Sequence, residues 1–134
     1  MRQNIILEKV NEFIEESYNH IIIGGYSAGG WASLTLMSRY PDRFKGAIAL
    51  NPAFAGPIKE WDEKLPHWGF FRNDQIKELQ KSDTLNALVF IHHDDKFETP
   101  QTLSFLNSFN DINIIDYSEL KPTSGNWANI DKKM

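Results

Sequence analysis

The amino-acid sequence predicts an α/β protein, a parallel sheet of about four strands with flanking helices. Two observations support this fold class. Four short runs of β-branched or apolar residues, typical of buried strands, are spread along the chain. Segments in which apolar residues recur at helical spacing lie before and between these runs. Strands that alternate with helices pair in parallel through right-handed crossovers, so residues 1–134 are expected to form a single domain.

The predicted elements alternate along the chain. A helix with one apolar face is expected over residues 5–18, and strands over residues 20–24, 46–50, 85–91 and 112–117. Further helices are expected over residues 31–40, 74–80 and 100–109, because Pro41 ends the first of these and Pro100 begins the last. Residues 53–84 have a mixed pattern and resemble a lid-like insert, and the tail over residues 118–134 is polar.

Composition and charge exclude several classes of protein. The chain has 14 Lys and Arg against 18 Asp and Glu, a net charge of −4, and no basic run, so nucleic-acid binding is not expected. It has no cysteine, which excludes disulfides, thiolate zinc sites and cysteine nucleophiles. No apolar run approaches the roughly 18 residues of a membrane span, and the first residues reach charge too early for a secretory signal. We therefore expect a cytoplasmic domain without a membrane span.

The clearest functional motif is Gly25-x-Ser27-x-Gly29, which lies between a predicted strand and a predicted helix. A strand that turns at once into a helix holds its central residue in a strained conformation, and the residues two before and two after must be small. The Ser27 hydroxyl would then lie at the helix N-terminus, where the Ala28 N–H is a candidate oxyanion donor. The simpler interpretation is a glycine-rich turn in which Ser27 caps the helix.

Two phosphate-binding motifs do not fit these glycines. They lack the Gly-x-Gly-x-x-Gly spacing of a dinucleotide site, and no lysine follows them as in a P-loop. We expect no cofactor and no metal. A metal site at residues 92–95 is disfavoured, because adjacent ligands at one strand end point apart.

Three segments, in this order, resemble the α/β-hydrolase superfamily. They are residues 21–30 with the Ser27 motif, residues 40–52 with a helix end and strand, and residues 92–100 with an Asp loop that ends in proline. The resemblance implies a serine hydrolase of the esterase or lipase kind that acts on an ester-type small molecule, with Ser27 as nucleophile. It also implies the triad order Ser, acid, His. Asp95 is the expected acid and Asp94 an alternative; otherwise both lie in a solvated loop or cap the next helix.

The histidine that the resemblance implies is not where the family has it. It should follow the last strand, but the four histidines all lie upstream, at His20, His67, His92 and His93. His20 and His67 are expected to be structural or surface residues, whereas one of His92 and His93 could act as an improvised base. Two alternatives remain open: Asn126 occupies the position of the histidine, or the chain departs from the family before it.

The front of the chain also departs from the family pattern. Members have several strands before the Ser motif, whereas here a single predicted helix precedes it. The strand before Ser27 is therefore expected near an open sheet edge, where self-association or a complementing N-terminal half would cover it. Our hypothesis is that the chain is the carboxyl-side portion of a longer hydrolase. This hypothesis predicts weak or absent activity for this chain alone. The alternative is that the chain is a non-catalytic remnant that acts as a binding or assembly module.

The aromatic residues of the insert have two interpretations. They either line an apolar substrate pocket or anchor the insert to the sheet, and they are Phe54, Trp61, Trp68, Phe70 and Phe71.

Overall fold

The computed structural model describes residues 3–15, 20–54, 68–82 and 85–120. In these ranges four strands form one parallel sheet in the order β1-β2-β3-β4, which confirms the predicted fold class. The strands are β1 (Ile22–Tyr26), β2 (Gly46–Leu50), β3 (Ala87–Ile91) and β4 (Ile112–Asp116), and the helices are α1 (Gln3–Glu15), α2 (Ala28–Arg39) and α3 (Trp68–Gln80). Short 3-10 helices span Ser104–Ser108 and Ser118–Leu120. No helix in the described ranges is long and apolar enough to cross a membrane.

The core lies on one face of the sheet. Successive residues of a strand point to opposite faces, and on the covered face Ala49 of β2 and Val89 of β3 are fully buried. Leu34 and Leu36 of α2 complete this cluster, and Val10 brings the apolar face of α1 onto it. The predicted amphipathic pattern of α1 therefore serves to attach that helix to the core.

Among the residues that the structure describes, none covers the other face of the sheet or pairs with the outer edge of β1. Within the described ranges β1 pairs with β2 alone, in agreement with the edge position expected from the family order. On the open face Ile22 is 61% exposed and Tyr26 is 47% exposed, and Ile48 and Ile115 are also exposed. Parallel sheets are normally covered on both faces, so the exposure of these apolar side chains is unusual.

Several element bounds differ from the sequence-based expectation. The predicted helix over residues 100–109 is wrong: turns precede a 3-10 helix that begins only at Ser104. The Thr99 and Thr102 side chains bond to each other's backbone N–H at 3.4 and 2.9 Å, and such local bonds compete with the helical ladder. β1 also lies two residues later than expected, because its pairing with β2 continues through both glycines to Tyr26. The helices α2 and α3 begin earlier than expected, by three and six residues.

The contact between β1 and α2 depends on small residues. A Cβ atom on Gly25 would lie 2.2 Å from the carbonyl oxygen of Gly29, a distance that no side chain tolerates. A Cβ on Gly29 itself would meet nothing within 4 Å, whereas one on Gly30 would lie 3.0 Å from Pro52 Cα. The steric requirement expected at both motif glycines therefore applies at Gly25 and not at Gly29, and Gly30 is the second close approach.

A buried ion pair ties α3 to the loops that follow β2 and β3. Arg72 of α3 donates to Glu98 Oε1 at 2.8 Å and to the Thr102 carbonyl at 2.9 Å. The other Glu98 oxygen accepts the N–H of Phe54, which is itself buried and packs edge-on against Phe105. Of the aromatic residues in the insert, Phe54 thus anchors the core, whereas Phe70 is 72% exposed. Trp61 and the Trp68 side chain lie outside the described residues.

The two motif glycines provide a matched stability test. Replacing Gly25→Ala forces a Cβ into the Gly29 carbonyl, and we expect the free energy of unfolding to fall by about 3 kcal/mol or more. Replacing Gly29→Ala adds a methyl group in open space within α2, so unfolding is expected to be unchanged or up to about 1 kcal/mol more costly. Urea unfolding followed by circular dichroism measures both. Equal losses in the two variants would contradict the close approach.

The ion pair predicts a stability loss that depends on pH. Desolvation by burial raises the pKa of Glu98, while the Phe54 N–H and Arg72 oppose that rise. A carboxyl group whose pKa is raised in the folded state stabilises the fold at pH values below its ordinary pKa. That stabilisation is lost as the pH rises through the folded-state pKa. Arg72→Met leaves the carboxylate unpaired, so we expect the variant to lose about 3 kcal/mol near pH 7 and clearly less near pH 4.

The control for this variant is Lys81→Met. Lys81 forms a similar pair with Glu78 at 2.7 Å, but both side chains are more than half exposed. We expect no measurable change at either pH. A loss in Arg72→Met that does not vary with pH would show that packing, rather than the buried charge, holds α3 in place.

Candidate active site

Ser27 lies where β1 passes directly into α2, and its backbone is strained. Its φ and ψ are 58° and −118°, a conformation that L-residues with a side chain rarely adopt. The N–H of Ser27 donates to the Leu50 carbonyl at 2.9 Å. Its carbonyl accepts the N–H groups of Gly30, Trp31 and Ala53 at 3.0, 3.2 and 3.0 Å. The strain is thus maintained by four backbone hydrogen bonds, which reach both α2 and the loop after β2.

The side chain of Ser27 does not cap α2. No hydrogen bond joins it to the first amides of the helix, so the simpler interpretation of this serine is wrong. A capping serine needs a side-chain oxygen near the N–H two or three residues on, and the strained φ of Ser27 turns the side chain away from that position. Ser27 is half-buried at the carboxyl end of β1, with its hydroxyl beside an exposed helix N-terminus.

The first amide of α2 belongs to Ala28, which is exposed. The first amides of a helix have no acceptor within it, and the helix dipole adds partial positive charge at this end. Within the described ranges the Ala28 N–H makes no backbone hydrogen bond.

Asn51 and Tyr117 support the same edge of the sheet, and neither was among the residues that the sequence indicated. Asn51 follows β2 with a φ of 45°, is buried, and donates its N–H to the Phe90 carbonyl at 2.9 Å. The Tyr117 hydroxyl donates to Asn51 Oδ1 at 2.8 Å, and the Tyr117 N–H donates to the Ile91 carbonyl at 3.1 Å. Burial raises the pKa of Tyr117 to about 12, so its hydroxyl keeps its proton and remains a donor. The Asn-Pro pair after a strand was the available signal, since Asn tolerates positive φ.

Asp95 and Asp94 lie in the loop after β3 with different surroundings. Asp95 Oδ1 accepts the N–H groups of Phe97 and Glu98 at 2.7 and 3.0 Å. After desolvation, the charge of Asp95 contributes to the raised pKa of Tyr26, the residue before Ser27. Asp94 instead forms a pair with His93 at 3.1 Å in which both side chains are about half exposed. The two candidate acids therefore differ in their partners, since Asp95 bonds to backbone amides of its own loop and Asp94 pairs with a histidine.

His92 is buried, and its two ring nitrogens have different surroundings. Its Nδ1 accepts the N–H of Asp94 at 2.9 Å, so in the neutral ring the proton is on Nε2, which has no partner within the described residues. Desolvation, followed by the charge of His93, lowers the pKa of His92. The ring packs against Tyr117 with centroids 4.9 Å apart. A neutral ring that carries its free proton on Nε2 is a donor there and does not fit the part of a base toward Ser27.

Ser27 is not bonded to any of the candidate triad partners that lie within the described ranges. Among the described residues, no hydrogen bond joins Ser27 to Asp95, His92 or His93. His20 is exposed before β1, at the opposite end of the strand from Ser27. His67 and Asn126 lie outside the described residues.

One group of side chains within the described ranges has the spacing of a metal site. Ligand atoms of His92, His93 and Asp94 lie within 4.8 Å of one another. However, His92 Nδ1 already accepts a backbone hydrogen bond, and Asp94 and His93 are exposed surface residues. A metal ion at this group would have to use His92 Nε2, because Nδ1 already serves as an acceptor.

The chain matches a known protein family and is similar to two solved structures in its fold. The sequence profile of the prolyl oligopeptidase family matches residues 6–116. A structure described as that of LipS and LipT, two metagenome-derived lipolytic enzymes, is 14% identical with a TM-score of 0.65, and the match covers 83% of this chain and 60% of that one. A Paleococcus ferrophilus monoacylglycerol lipase is 16% identical with a TM-score of 0.59, covering 84% of this chain and 63% of its own.

These comparisons define the family and the fold. The chain spans less than two thirds of the length of the two similar structures. No curated protein matches it. Because the family profile matches most of the chain, and because the sheet and its helices superpose on lipase structures, the predicted resemblance is confirmed. The chain belongs to the prolyl oligopeptidase family, within the α/β-hydrolase superfamily.

Proposed function

We propose that this chain carries the nucleophile of a serine hydrolase, with Ser27 as the attacking residue and an ester-type carbonyl as the substrate group. The observation that carries the proposal is the Ser27 backbone, with φ 58° and ψ −118° at a strand-to-helix turn. Strain of this kind persists only where the surroundings enforce it, and here four backbone hydrogen bonds do so. The Ser27 side chain makes no capping bond that would explain the strain in another way.

The chemistry follows from the position of the hydroxyl. Ser27 Oγ attacks the carbonyl carbon, the carbonyl oxygen becomes an oxyanion, and the Ala28 N–H stabilises that charge at the helix N-terminus. Collapse of the tetrahedral intermediate breaks the bond to the leaving oxygen, which takes up the proton lost by Ser27 and departs as the alcohol, and the acyl group stays on Ser27. Water then attacks the acyl carbon, which releases the acid and restores the hydroxyl.

The removal of the serine proton limits this reaction. Asp95 is the acid that we assign to orient a histidine, but no histidine follows Tyr117 in this sequence. His92 Nδ1 already accepts a backbone N–H and its Nε2 carries the proton in the neutral ring, and His93 is engaged with Asp94. With no base bonded to Ser27 among the described residues, we expect turnover of this chain to be weak, with roughly 10³–10⁴-fold acceleration left from oxyanion stabilisation and binding.

The substrate class rests on the similar proteins. The two structures with TM-scores above 0.5 are described as lipolytic, which favours an ester, whereas the family name refers to a peptidase and hence to an amide. Both reactions pass through the same acyl-serine, so the proposed role of Ser27 does not depend on the choice.

A fluorophosphonate probe tests the nucleophile. We expect slow covalent labelling of the wild-type chain, at one site, with the adduct located on Ser27 by peptide mass spectrometry. Ser27→Ala should lose the label completely. Ser104→Ala removes an exposed hydroxyl from the 3-10 helix after β3 and should label like the wild type.

Two results would contradict the proposal. One is the absence of labelling in wild-type protein that circular dichroism shows to be folded. The other is labelling that persists in Ser27→Ala, which would place the reactive group elsewhere.

The open sheet surface favours a second candidate, a non-catalytic assembly module. Ile22 and Tyr26 on β1 are 61% and 47% exposed, and within the described ranges the β1 edge has no neighbour on its outer side. An exposed apolar strand edge favours pairing with another chain. A second copy, or a chain that supplies the strands preceding the Ser motif in the family, would cover this surface.

Sedimentation equilibrium tests the assembly module. We expect the wild type to self-associate and Ile22→Lys to weaken the association at least about tenfold, because a charge would be buried at the contact. Ile5→Lys is the matched control, since Ile5 is 56% exposed on α1 and not on the sheet. A wild type that remains monomeric at millimolar concentration, or equal effects of both variants, would contradict self-association.

A further inference from the structure

A short series of hydrogen bonds connects the Asp95 loop to the Ser27 turn. The Glu98 N–H donates to Asp95 Oδ1 at 3.0 Å, and the Glu98 carboxylate accepts the N–H of Phe54. The preceding amide, that of Ala53, donates to the Ser27 carbonyl at 3.0 Å. Glu98, the 53–54 peptide group and residue Ala53 therefore connect the candidate acid to the candidate nucleophile along this route.

The burial of Glu98 indicates that its carboxylate serves to orient a hydrogen-bonded group. The side chain is completely buried, and that of Arg72, its partner at 2.8 Å, is only 12% exposed. An apolar pair of similar volume would fill this space without the cost of desolvating two charges. What an apolar pair cannot do is accept the Phe54 N–H, which is one of the amides that shape the loop after β2.

Arg72 completes the arrangement from a third element. It donates to the Phe54 carbonyl at 3.4 Å and the Thr102 carbonyl at 2.9 Å as well as to Glu98. Both backbone groups of Phe54 are thus held by this ion pair, one by each partner. The loop after β2 is consequently fixed against α3 and against the loop after β3.

We propose that Glu98 is a positioning residue, which sets the Ser27 turn relative to the Asp95 loop by holding the Phe54 amide. The proposal rests on the proposed function, because its consequence for reactivity requires Ser27 to be the nucleophile. The loss of the Glu98 acceptor frees the 53–54 peptide group, and this loosens Ala53, whose own N–H in the preceding peptide group donates to the Ser27 carbonyl. A displacement of about 1 Å in a reacting group can lower a rate about 10²-fold.

Two double variants isolate the acceptor from the charge. Glu98→Gln with Arg72→Met keeps an oxygen for the Phe54 N–H, whereas Glu98→Met with Arg72→Met has a side chain of similar length and no such oxygen. Neither carries a buried charge. We expect the rate of fluorophosphonate labelling at saturation to fall at least about tenfold in the Met variant and less than about threefold in the Gln variant. Val10→Ala, a core variant remote from the loops, controls for lost stability.

Hydrogen exchange gives a readout that does not need a reactive serine. The Ala53 amide should exchange at least about tenfold faster in the Glu98→Met variant than in the Glu98→Gln variant, while the Val89 amide in the core is unchanged. If the wild type is not labelled at all, the proposal that Ser27 is the nucleophile fails. The hydrogen-exchange comparison at Ala53 then tests the positioning role of Glu98 by itself. Equal exchange at Ala53 in the two double variants overturns the positioning role. If Ser27 is labelled, equal labelling rates in the two double variants also overturn the positioning role. A fall in the labelling rate of Val10→Ala as large as that of the Glu98→Met variant overturns it as well.

Discussion

The strained peptide at Ser27 is the constraint on which the site depends. A strand that passes into a helix without a loop can do so only if one residue takes a conformation that its side chain disfavours. Here the cost is offset by the bonds of Ser27 to the Leu50 carbonyl and to three N–H groups, among them that of Ala53. Gly25 must be glycine because the Gly29 carbonyl occupies the space of its side chain. The direction of the Ser27 hydroxyl is therefore a property of β1, α2 and the loop after β2 together.

The same pattern of support continues across the sheet. The residues after β1, β2 and β4 each donate a backbone N–H to a carbonyl near the end of a neighbouring strand, Ser27 to Leu50, Asn51 to Phe90 and Tyr117 to Ile91. The Tyr117 hydroxyl also donates to Asn51, and its raised pKa keeps that proton in place at physiological pH. Hydrogen bonds thus link the ends of the four strands at the carboxyl edge of the sheet.

The ionisable groups at the edge divide into two kinds. Glu98 is buried with the Arg72 cation and accepts the Phe54 N–H. His92 is buried without a cation, desolvation lowers its pKa, and its Nε2 has no hydrogen-bond partner within the described residues. The candidate site therefore combines a strained, well-supported Ser27 with no base bonded to it among the described residues, and the apolar face beside it is exposed. Both features agree with a chain that spans less than two thirds of its structural relatives.

The sequence by itself determined the fold class, the four strands and the motif around Ser27. These follow from local patterns, namely β-branched runs, helical periodicity and glycine spacing, which can be read without knowledge of distant contacts. It failed at residues 100–109, where Thr99 and Thr102 bond locally and replace the helix. Only the tertiary structure decided that Ser27 does not cap α2, that Gly30 rather than Gly29 is sterically required, and that Asn51, Tyr117, Arg72 and Glu98 support the site. Those roles depend on contacts between residues up to 66 positions apart, and such contacts leave no periodic trace in a single sequence.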